Sequence, residues 1–356
     1  MADKREQSEI RERIARIDGE ILAQLEVRAR LSKDIQRLLE GETSAVDLSE
    51  REWLERLEAQ ASGALPPEGL RAIFRQIRAV GRSIEQPVKV SYIGPEGGFC
   101  HEMARAYFGA NAAFLECATP AEAFDEVGRG RAVFAVFPFE SSIDGLQQPA
   151  VTALAQTDLV LVAERAAAAA YSMMSRTGNL GDVDKVYATP AAHAACERFL
   201  TRELPRASVI DVRSPVVAAQ LAFEDHGSAA IVPETCGRTA ELELARANVG
   251  DTPDLRFRYA VATLRPASRS GNDTTCLIFS VDDSAGALFD VLRHFAERGI
   301  SLKKLQSRPV RSEGWDYVFY VEVSGHVTDR PVVTALEAVK RTTKYLKVLG
   351  SFPTES

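Results

Sequence analysis

Apolar and polar positions divide the chain into three stretches of different period. In the first, Ile10, Ile14, Ile17, Ile21, Leu25, Leu31, Ile35 and Leu38 recur at the spacing of one helix face. Gly19 is the one interruption, so the pattern predicts a single helix from about Lys4 to Leu39, ~54 Å long at 1.5 Å per residue. Two shorter helices follow at about Ser49–Ala61 and Glu68–Ile84, the second introduced by Pro66-Pro67. They are too short to cover so long a stripe, which predicts a helical dimer.

After Gln86-Pro87 the period changes to alternating strands and helices. Strands are predicted at Val88–Ile93, Ala132–Phe137, Leu159–Ala163, Ala170–Met174, Lys185–Ala188, Ser208–Val212, Ala229–Val232 and Tyr259–Leu264. Helices fit His101–Phe108, Pro120–Gly128, Gln148–Gln156, Pro190–Thr201, Val216–Glu224 and Glu234–Leu244. This order predicts two α/β lobes of a periplasmic-binding-like shape with a cleft between them. A polar segment, Arg265–Asp273, carries the turn residues of a boundary. Beyond it the pattern runs strand Thr275–Val281, helix Gly286–Arg298, strands Leu302–Ser307 and Tyr317–Ser324, helix Pro331–Thr342 and strand Tyr345–Phe352, the βαββαβ order of a ferredoxin-like α+β domain. The expected protein is multidomain: all-α helical over 1–87, two-lobed α/β over 88–266, and ferredoxin-like over 274–356.

Composition narrows the partners. The chain has 356 residues, 46% hydrophobic and 26% charged, which fits two or three soluble globular domains. A net charge of −7 argues against nucleic acid, whose phosphates demand a surplus of Lys and Arg. The five cysteines (Cys100, Cys117, Cys196, Cys236, Cys276) are scattered, without a C-x-x-C pair, as in a reduced protein lacking structural zinc. The start MADKREQSE is charged and no run approaches 18 apolar residues, so a cytoplasmic protein with no membrane contact is expected. His101, His193, His226, His294 and His326 share no metal-ligand spacing, and surface or capping roles are expected, with no metal and no cofactor.

The richest stretch chemically is VKVSYIGPEGGFCHEMA at 88–104. A strand leads into Gly94-Pro95-Glu96-Gly97-Gly98, and a helix starts near Cys100–His101 with its free N–H groups aimed back at the turn. Such a corner suits a carboxylate or phosphate; it is equally an ordinary tight βα turn. Neither a Gly-Lys-Ser/Thr nor a G-x-G-x-x-G spacing is present. Cys100 has two readings, a thiol of lowered pKa at a helix N-terminus or a small buried residue.

Three resemblances add to these patterns. The segment IRERIARIDGEILAQLEVR at 10–28 resembles the all-helical chorismate mutase domain. The resemblance implies that Arg11 and Arg28 clamp substrate carboxylates, and that Arg51 and Glu52 lie on the second helix with the Glu accepting from the substrate hydroxyl. The chain departs from that pattern. Leu39 stands where the family has a lysine at the ether oxygen, Leu48 stands for an Asp (Asp47 is adjacent), Gly81 for a Ser, and Glu85 for a Gln that hydrogen-bonds the same oxygen. That rearrangement depends on preorganised charge at the ether oxygen, so weak mutase activity is expected.

The ordered motifs GPEGGFCHEMA (94–104), AVFPFESSIDG (135–145), VYATPAAHAACERFL (186–200) and DTPDLRFRY (251–259) resemble the prephenate dehydratase catalytic domain. That enzyme converts prephenate to phenylpyruvate with loss of carbon dioxide and water, which needs cations for two carboxylates and an acid for the departing hydroxyl. The resemblance places Glu96, Gly97, Gly98, Cys100, Glu140, Ser141, Ser142 and Thr189 at the substrate and Phe257-Arg258-Tyr259 at the family's Thr-Arg-Phe. A phenyl ring replaces the threonine that donates the proton. Glu-Asn-Ser has become Glu140-Ser141-Ser142, His-Pro-Gln has become Thr189-Pro190-Ala191, and Pro-Ile-x-His has become Ala168-Ala169-Ala170-Tyr171. Val216 and Val217 stand for hydroxyl residues. Arg258 is open to two readings, a carboxylate clamp or a fold-stabilising salt bridge.

Finally, DSAGAL (283–288) and LQSRP (305–309) resemble the signature motifs of the ACT domain, which binds phenylalanine at a dimer interface. The resemblance implies an effector site at Gly286, Ala287, Leu288, Gln306, Ser307, Arg308 and Pro309, with Gln306 in place of a Glu and Ser301 in place of an Asn. The order as a whole implies a small-molecule substrate of the aromatic pathway, a phenylalanine effector, and a homodimer or dimer of dimers. The expected function is a chorismate mutase/prephenate dehydratase with substituted sites and weak or absent dehydration. The alternatives are a non-catalytic regulatory or metabolite-binding paralogue, and altered chemistry on prephenate such as decarboxylation that keeps the hydroxyl.

Overall fold

The structure, a computed structural model, describes residues 2–38, 50–61, 63–83, 88–109, 112–252, 254–309 and 317–354. Contacts divide the chain into two units, Met1–Val88 with Tyr107–Ala113, and the remainder.

The first unit holds helices α1 (Ala2–Leu38), α2 (Glu50–Gln60) and α3 (Pro67–Ser83), close to the predicted spans. Leu54 and Leu70 are buried within it, and the Arg71 guanidinium pairs with Glu58 across α3 and α2, Nη2 donating to Oε2 at 3.1 Å. The apolar stripe of α1 is uncovered in the single chain. Ile10, Ile14, Ile17, Ile21, Leu22, Val27 and Leu31 are 47–60% exposed. The side chains of Ile35 and Leu38 lie outside the described residues.

The second unit contains two sheets. The larger takes β1 (Lys89–Ile93), β2 (Ala113–Cys117), β3 (Phe134–Ser141), β5 (Val160–Ala168) and β11 (Arg256–Thr263) from the first α/β lobe, with the short β4 (Gly145–Leu146) paired to β3. From the C-terminal domain it takes β12 (Asp273–Ser280), β13 (Leu302–Pro309), β14 (Tyr317–Ser324) and β15 (Tyr345–Pro353), giving the order β13-β14-β12-β15-β5-β11-β3-β1-β2. The smaller sheet forms the second lobe from β6 (Tyr171–Ser175), β7 (Lys185–Ala188), β8 (Ser208–Asp211), β9 (Ser228–Pro233) and β10 (Glu243–Arg246), in the order β10-β6-β9-β7-β8. The two-lobed α/β body and the βαββαβ order are therefore present as predicted.

Three local expectations fail. The helix predicted at Pro190–Thr201 is two helices, α7 (Pro190–Ala195) and α8 (Glu197–Glu203), separated at Cys196, whose backbone (φ −125°, ψ 17°) leaves the helical region while its side chain is buried. The helix predicted at Glu234–Leu244 stops as α10 (Glu234–Thr239), because Glu241 takes φ 59° and sends the chain back as β10. Periodicity also passes over β2, whose five residues AFLEC show no apolar/polar alternation.

Helices α4 (Phe99–Phe108), α5 (Pro120–Gly128) and α6 (Gln148–Ala155) belong to the first lobe, and α9 (Pro215–Glu224) to the second. Starts are set by sequence: Thr119 caps α5, its hydroxyl accepting from Glu122 N, with Pro120 at the first position. Thr189 and Ser214 cap α7 and α9 in the same way. One core joins Phe124, Phe137, Phe139, Leu154 and Leu161 of the lobe to Cys276, Ile278, Tyr320, Leu349 and Phe352 of the C-terminal domain. The domain's own helices, α11 (Ala287–Ala296) and α12 (Arg330–Thr342), cover its other face through Val291, Phe295, Val332, Ala335 and Val339.

The sheets of lobe and C-terminal domain fuse where β15 runs parallel to β5, Gly350 opposite Leu161. Gly350 takes φ 148°, and a Cβ there would stand 2.2 Å from the Leu161 carbonyl oxygen. Only glycine fits so close a backbone approach. Gly350→Val is therefore expected to cost about 3 kcal/mol or more, an overpacking plus strain penalty, read as a fall of several degrees in the thermal midpoint of the full chain. An unchanged midpoint would refute the fusion.

Candidate functional site

The glycine turn is ordered by its own chain. Gly94 and Gly97 take positive φ, the Gly97 N–H donates to His101 Nδ1 at 3.0 Å, and the Glu96 N–H to Glu116 Oε2 at 3.1 Å. His101 is buried against Tyr92 (ring centres 4.7 Å) and Phe114. Burial, reinforced by Arg105, holds its pKa below the ordinary value, so the ring stays a neutral acceptor for the turn. This is the capping role expected for it. His326 is also buried, its Nε2 3.2 Å from the Ala267 carbonyl.

The turn meets the second lobe directly. A Cβ on Gly97 would fall 2.8 Å from both Val216 Cγ2 and Cys236 Sγ, so the first residue of the Gly97-Gly98 pair permits the closest interlobe approach. Phe99 packs edge-on against Tyr171 at 4.8 Å, and Glu102 accepts a hydrogen bond from the Thr235 hydroxyl. Burial raises the pKa of Glu102, opposed by the Thr235 hydroxyl and the Cys236 N–H. Cys100 sits behind this seam, its Sγ 3.4 Å from the Val136 carbonyl oxygen, and burial pushes its thiol up to about 12. Of its two sequence readings, the small buried residue is the one displayed.

Strand β11 divides the remaining residues between two faces. Phe257 and Tyr259 share one face, ring centres 5.9 Å apart. Tyr259 is buried, and Cys100, Tyr171 and Glu102 lie close enough to add to its raised pKa, which puts this face at the seam. Arg258 points the other way, into the junction with the C-terminal domain. Its Nη2 is 2.7 Å from Glu140 Oε2, its Nη1 is 2.8 Å from Glu164 Oε2, and Nη2 also pairs with Glu322. The Phe139 ring lies under the guanidinium carbon at 5.8 Å. Lys304 pairs with the second oxygen of Glu140, and the Tyr320 hydroxyl donates to Glu322 at 2.7 Å. Burial opposes the charge on Arg258, but Glu322 and Glu164 more than offset it and hold its pKa above the ordinary value. Burial likewise works against ionised Glu322, and Arg258 overrides it to leave the carboxyl below its ordinary value.

An irregularity in β3 makes this division possible. Phe257 pairs with Ser141 and Arg258 with Glu140, but Tyr259 pairs with Pro138, leaving Phe139 as an extra residue. Such a bulge resets the alternation. Glu140 therefore faces Arg258 and Ser141 faces the seam beside Phe257. Ser141 Oγ accepts from the Asp144 N–H at 2.8 Å, and Ser142 Oγ from the Arg256 N–H at 3.1 Å. Thr189 Oγ1 accepts from the Ala192 N–H at 3.2 Å as the cap of α7.

The remaining sequence-chosen residues fall elsewhere. Arg11 is exposed on α1, and Arg28 donates to the Ile77 carbonyl at 3.3 Å. Arg51 and Glu52 lie on α2 with side chains outside the described residues, and Glu85 lies outside them altogether. Gly286, at φ 87°, opens α11, so Ala287 and Leu288 form its first turn. Gln306, Ser307, Arg308 and Pro309 lie on β13, the last two with side chains outside the described residues. Gln306 faces the lobe alongside Tyr320, its Oε1 buried without a partner among the described residues. Sequence reasoning misses Glu102, Glu164, Lys304 and Glu322. A signal exists for Glu164 and Glu322, each a lone carboxylate interrupting an apolar strand; Glu102 reads only as an ordinary first-turn acid.

Comparison with known proteins fits this arrangement. Residues 10–86 match chorismate mutase type II, 90–266 prephenate dehydratase, and 275–341 the ACT domain. The bifunctional chorismate mutase/prephenate dehydratase of Aquifex aeolicus is 34% identical over 354 residues, 98% of each chain. That of Neisseria gonorrhoeae is 33% identical over 97% of this chain and 96% of its own. A crystal structure of prephenate dehydratase from Arthrobacter aurescens in complex with L-Phe superposes with a TM-score of 0.63 at 27% identity, covering 75% of this chain and 90% of that one.

Arg258→Met is expected to be destabilising at neutral pH by about 3–5 kcal/mol, because three carboxylates then meet without their guanidinium. The folded pKa of Glu322 lies below its unfolded value, so its stabilisation is present above pH 4.5 and fades as pH falls through the depressed value. The deficit of the variant in urea unfolding should accordingly hold from pH 7 to about pH 4.5 and narrow below it. A deficit that grows towards acid would contradict the cluster.

Proposed function

The chain belongs to the bifunctional chorismate mutase/prephenate dehydratase family of phenylalanine biosynthesis, and from that premise we propose that it binds prephenate between its α/β lobes but dehydrates it weakly or not at all. The observation carrying this reading is Phe257 on the seam face of β11 beside Ser141; the resemblance to the dehydratase motif is what puts a proton donor at that position. Loss of hydroxide alongside carbon dioxide needs an acid at the leaving oxygen, and a phenyl ring has none. Two hydroxyl protons at the seam are already engaged: Ser141, at the end of β3, donates to Asp144, and Thr235 donates to Glu102. Arg258 is surrounded by carboxylates, which weighs against its serving as the substrate's clamp.

In the helical unit, Arg28 and Arg11 stay on α1 as the carboxylate-binding pair of a mutase site, with Arg51 and Glu52 of α2. By the sequence resemblance, Leu39 and Glu85, both outside the described residues, replace the donors to the ether oxygen, so slow rearrangement of chorismate is the reading here as well. The exposed isoleucine stripe of α1 supports a homodimer through that helix, alone or paired into a tetramer. Gly286–Leu288 and Gln306–Pro309 would take phenylalanine as effector, on the strength of the ACT match. Five unpaired cysteines suit a cytoplasmic setting.

Purified protein incubated with chorismate, then with prephenate, and analysed by mass spectrometry is expected to yield little or no phenylpyruvate, while Phe257→Thr raises its formation by about a hundredfold or more, the scale of one positioned acid. Phenylpyruvate formed by the unaltered chain at an ordinary enzymatic rate would sink this reading. A keto acid that keeps the hydroxyl would select altered chemistry, and unchanged prephenate that nevertheless binds would select the non-catalytic paralogue. Separately, Ile14→Glu with Ile21→Glu is expected to halve the mass measured by sedimentation equilibrium, leaving the α/β body folded.

A further inference from the structure

We propose that Lys304, on β13 of the ACT domain, is a positioning residue for the interlobe seam, holding the β3 bulge that presents Ser141 and Ser142 there. The inference goes beyond the proposed function, and only its ligand-binding arm rests on that reading.

Glu140 lies at the bulge with its two oxygens held from different domains, one by Arg258 of β11 at 2.7 Å and the other by Lys304, 164 residues away in sequence. The register explains what this accomplishes. Phe139 is the extra residue of β3, and because of it Glu140 and Ser141 point to opposite faces from those that plain alternation would give them. A β3 without the bulge would return Glu140 to the seam and turn Ser141 into the core. Arg258 alone is a weak guarantor of the bulge, since its guanidinium also faces Glu164 and Glu322. Lys304 supplies the second cation, and β14 fixes it there: Lys304 pairs with Glu322 and Gln306 with Tyr320 on the face turned towards the lobe.

The two serines just past the bulge tie it to the seam. Ser141 binds Asp144 through both its hydroxyl oxygen and its proton. Ser142 closes a reciprocal pair with Arg256, its N–H donating to the Arg256 carbonyl at 2.9 Å while its Oγ accepts from the Arg256 N–H at 3.1 Å. Phe257 is the next residue along β11. A shift of β13 in the ACT domain therefore reaches Ser141, Ser142 and Phe257 through one carboxylate, with no contact between β13 and the seam itself required.

The test is Lys304→Met in the full-length chain, with Lys304→Arg as the conservative variant, read by amide hydrogen exchange and by titration with prephenate. Lys304→Met is expected to speed exchange over residues 138–146 by about tenfold and to weaken prephenate binding by a similar factor, while β7 and β9 of the second lobe are unaffected and Lys304→Arg restores both. Exchange over 138–146 that is unchanged, or that rises equally throughout β12–β15, would overturn the inference, as would Lys304→Met binding prephenate as tightly as a wild-type chain that binds it. If exchange responds as expected but prephenate binds neither form, the positioning role stands and the functional reading fails. Should Lys304→Met not fold, Lys304→Gln keeps a hydrogen-bond donor without the charge, and the same local rise in exchange, reduced in size, is expected.

Discussion

A guanidinium taken out of water must find carboxylates, and in this protein that requirement fixes the centre of the α/β body. Arg258 sits on β11, flanked by β5 and β3, where the lobe's sheet meets that of the ACT domain. Glu164 comes from β5, Glu140 from β3, and Glu322 from β14. Desolvation of the cation is offset only while all these strands keep their register. Charge matching thus specifies a packing that hydrophobic burial alone would leave free to slide: the surrounding Phe137, Phe139, Leu161 and Phe352 are interchangeable in kind, and the ion cluster is not.

The opposite face of the same strand lines the seam between the two lobes. Phe257 and Tyr259 look towards the glycine turn and Tyr171, and the residue between them belongs to the domain junction. A triplet that resembles a single catalytic motif in sequence is, in space, two residues of the interlobe seam and one of a structural joint. Tyr259, two positions from Phe257 on the same face, carries a buried hydroxyl whose pKa is raised by burial and by the nearby Cys100, Tyr171 and Glu102.

Much of the architecture is legible in the sequence because it rests on local signals. Periodicity places α1 and β14 nearly to the residue, and Thr-Pro or Ser-Pro pairs mark the starts of α5, α7 and α9. The hidden parts depend on distant partners. The break at Cys196 comes from burial against the second lobe's core, the turn at Glu241 from a positive φ no side chain advertises, and the fused sheet from one glycine meeting Leu161. At the candidate site, the motifs name residues without their facing, because a one-residue bulge at Phe139 decides which way Glu140 and Ser141 point. Both readings of Arg258 are open from its identity alone; only Glu164 and Glu322, remote along the chain, separate them.

The close approach at Gly350 has a consequence for modularity. ACT domains read as detachable accessories in a linear domain map, yet here β15 covers the outer edge of β5. A chain ending before β12 would leave Val160–Ala163 as a bare, apolar strand with unpaired backbone groups, the kind of edge that recruits other chains. Trimming the regulatory part would therefore yield a sticky fragment rather than an unregulated enzyme.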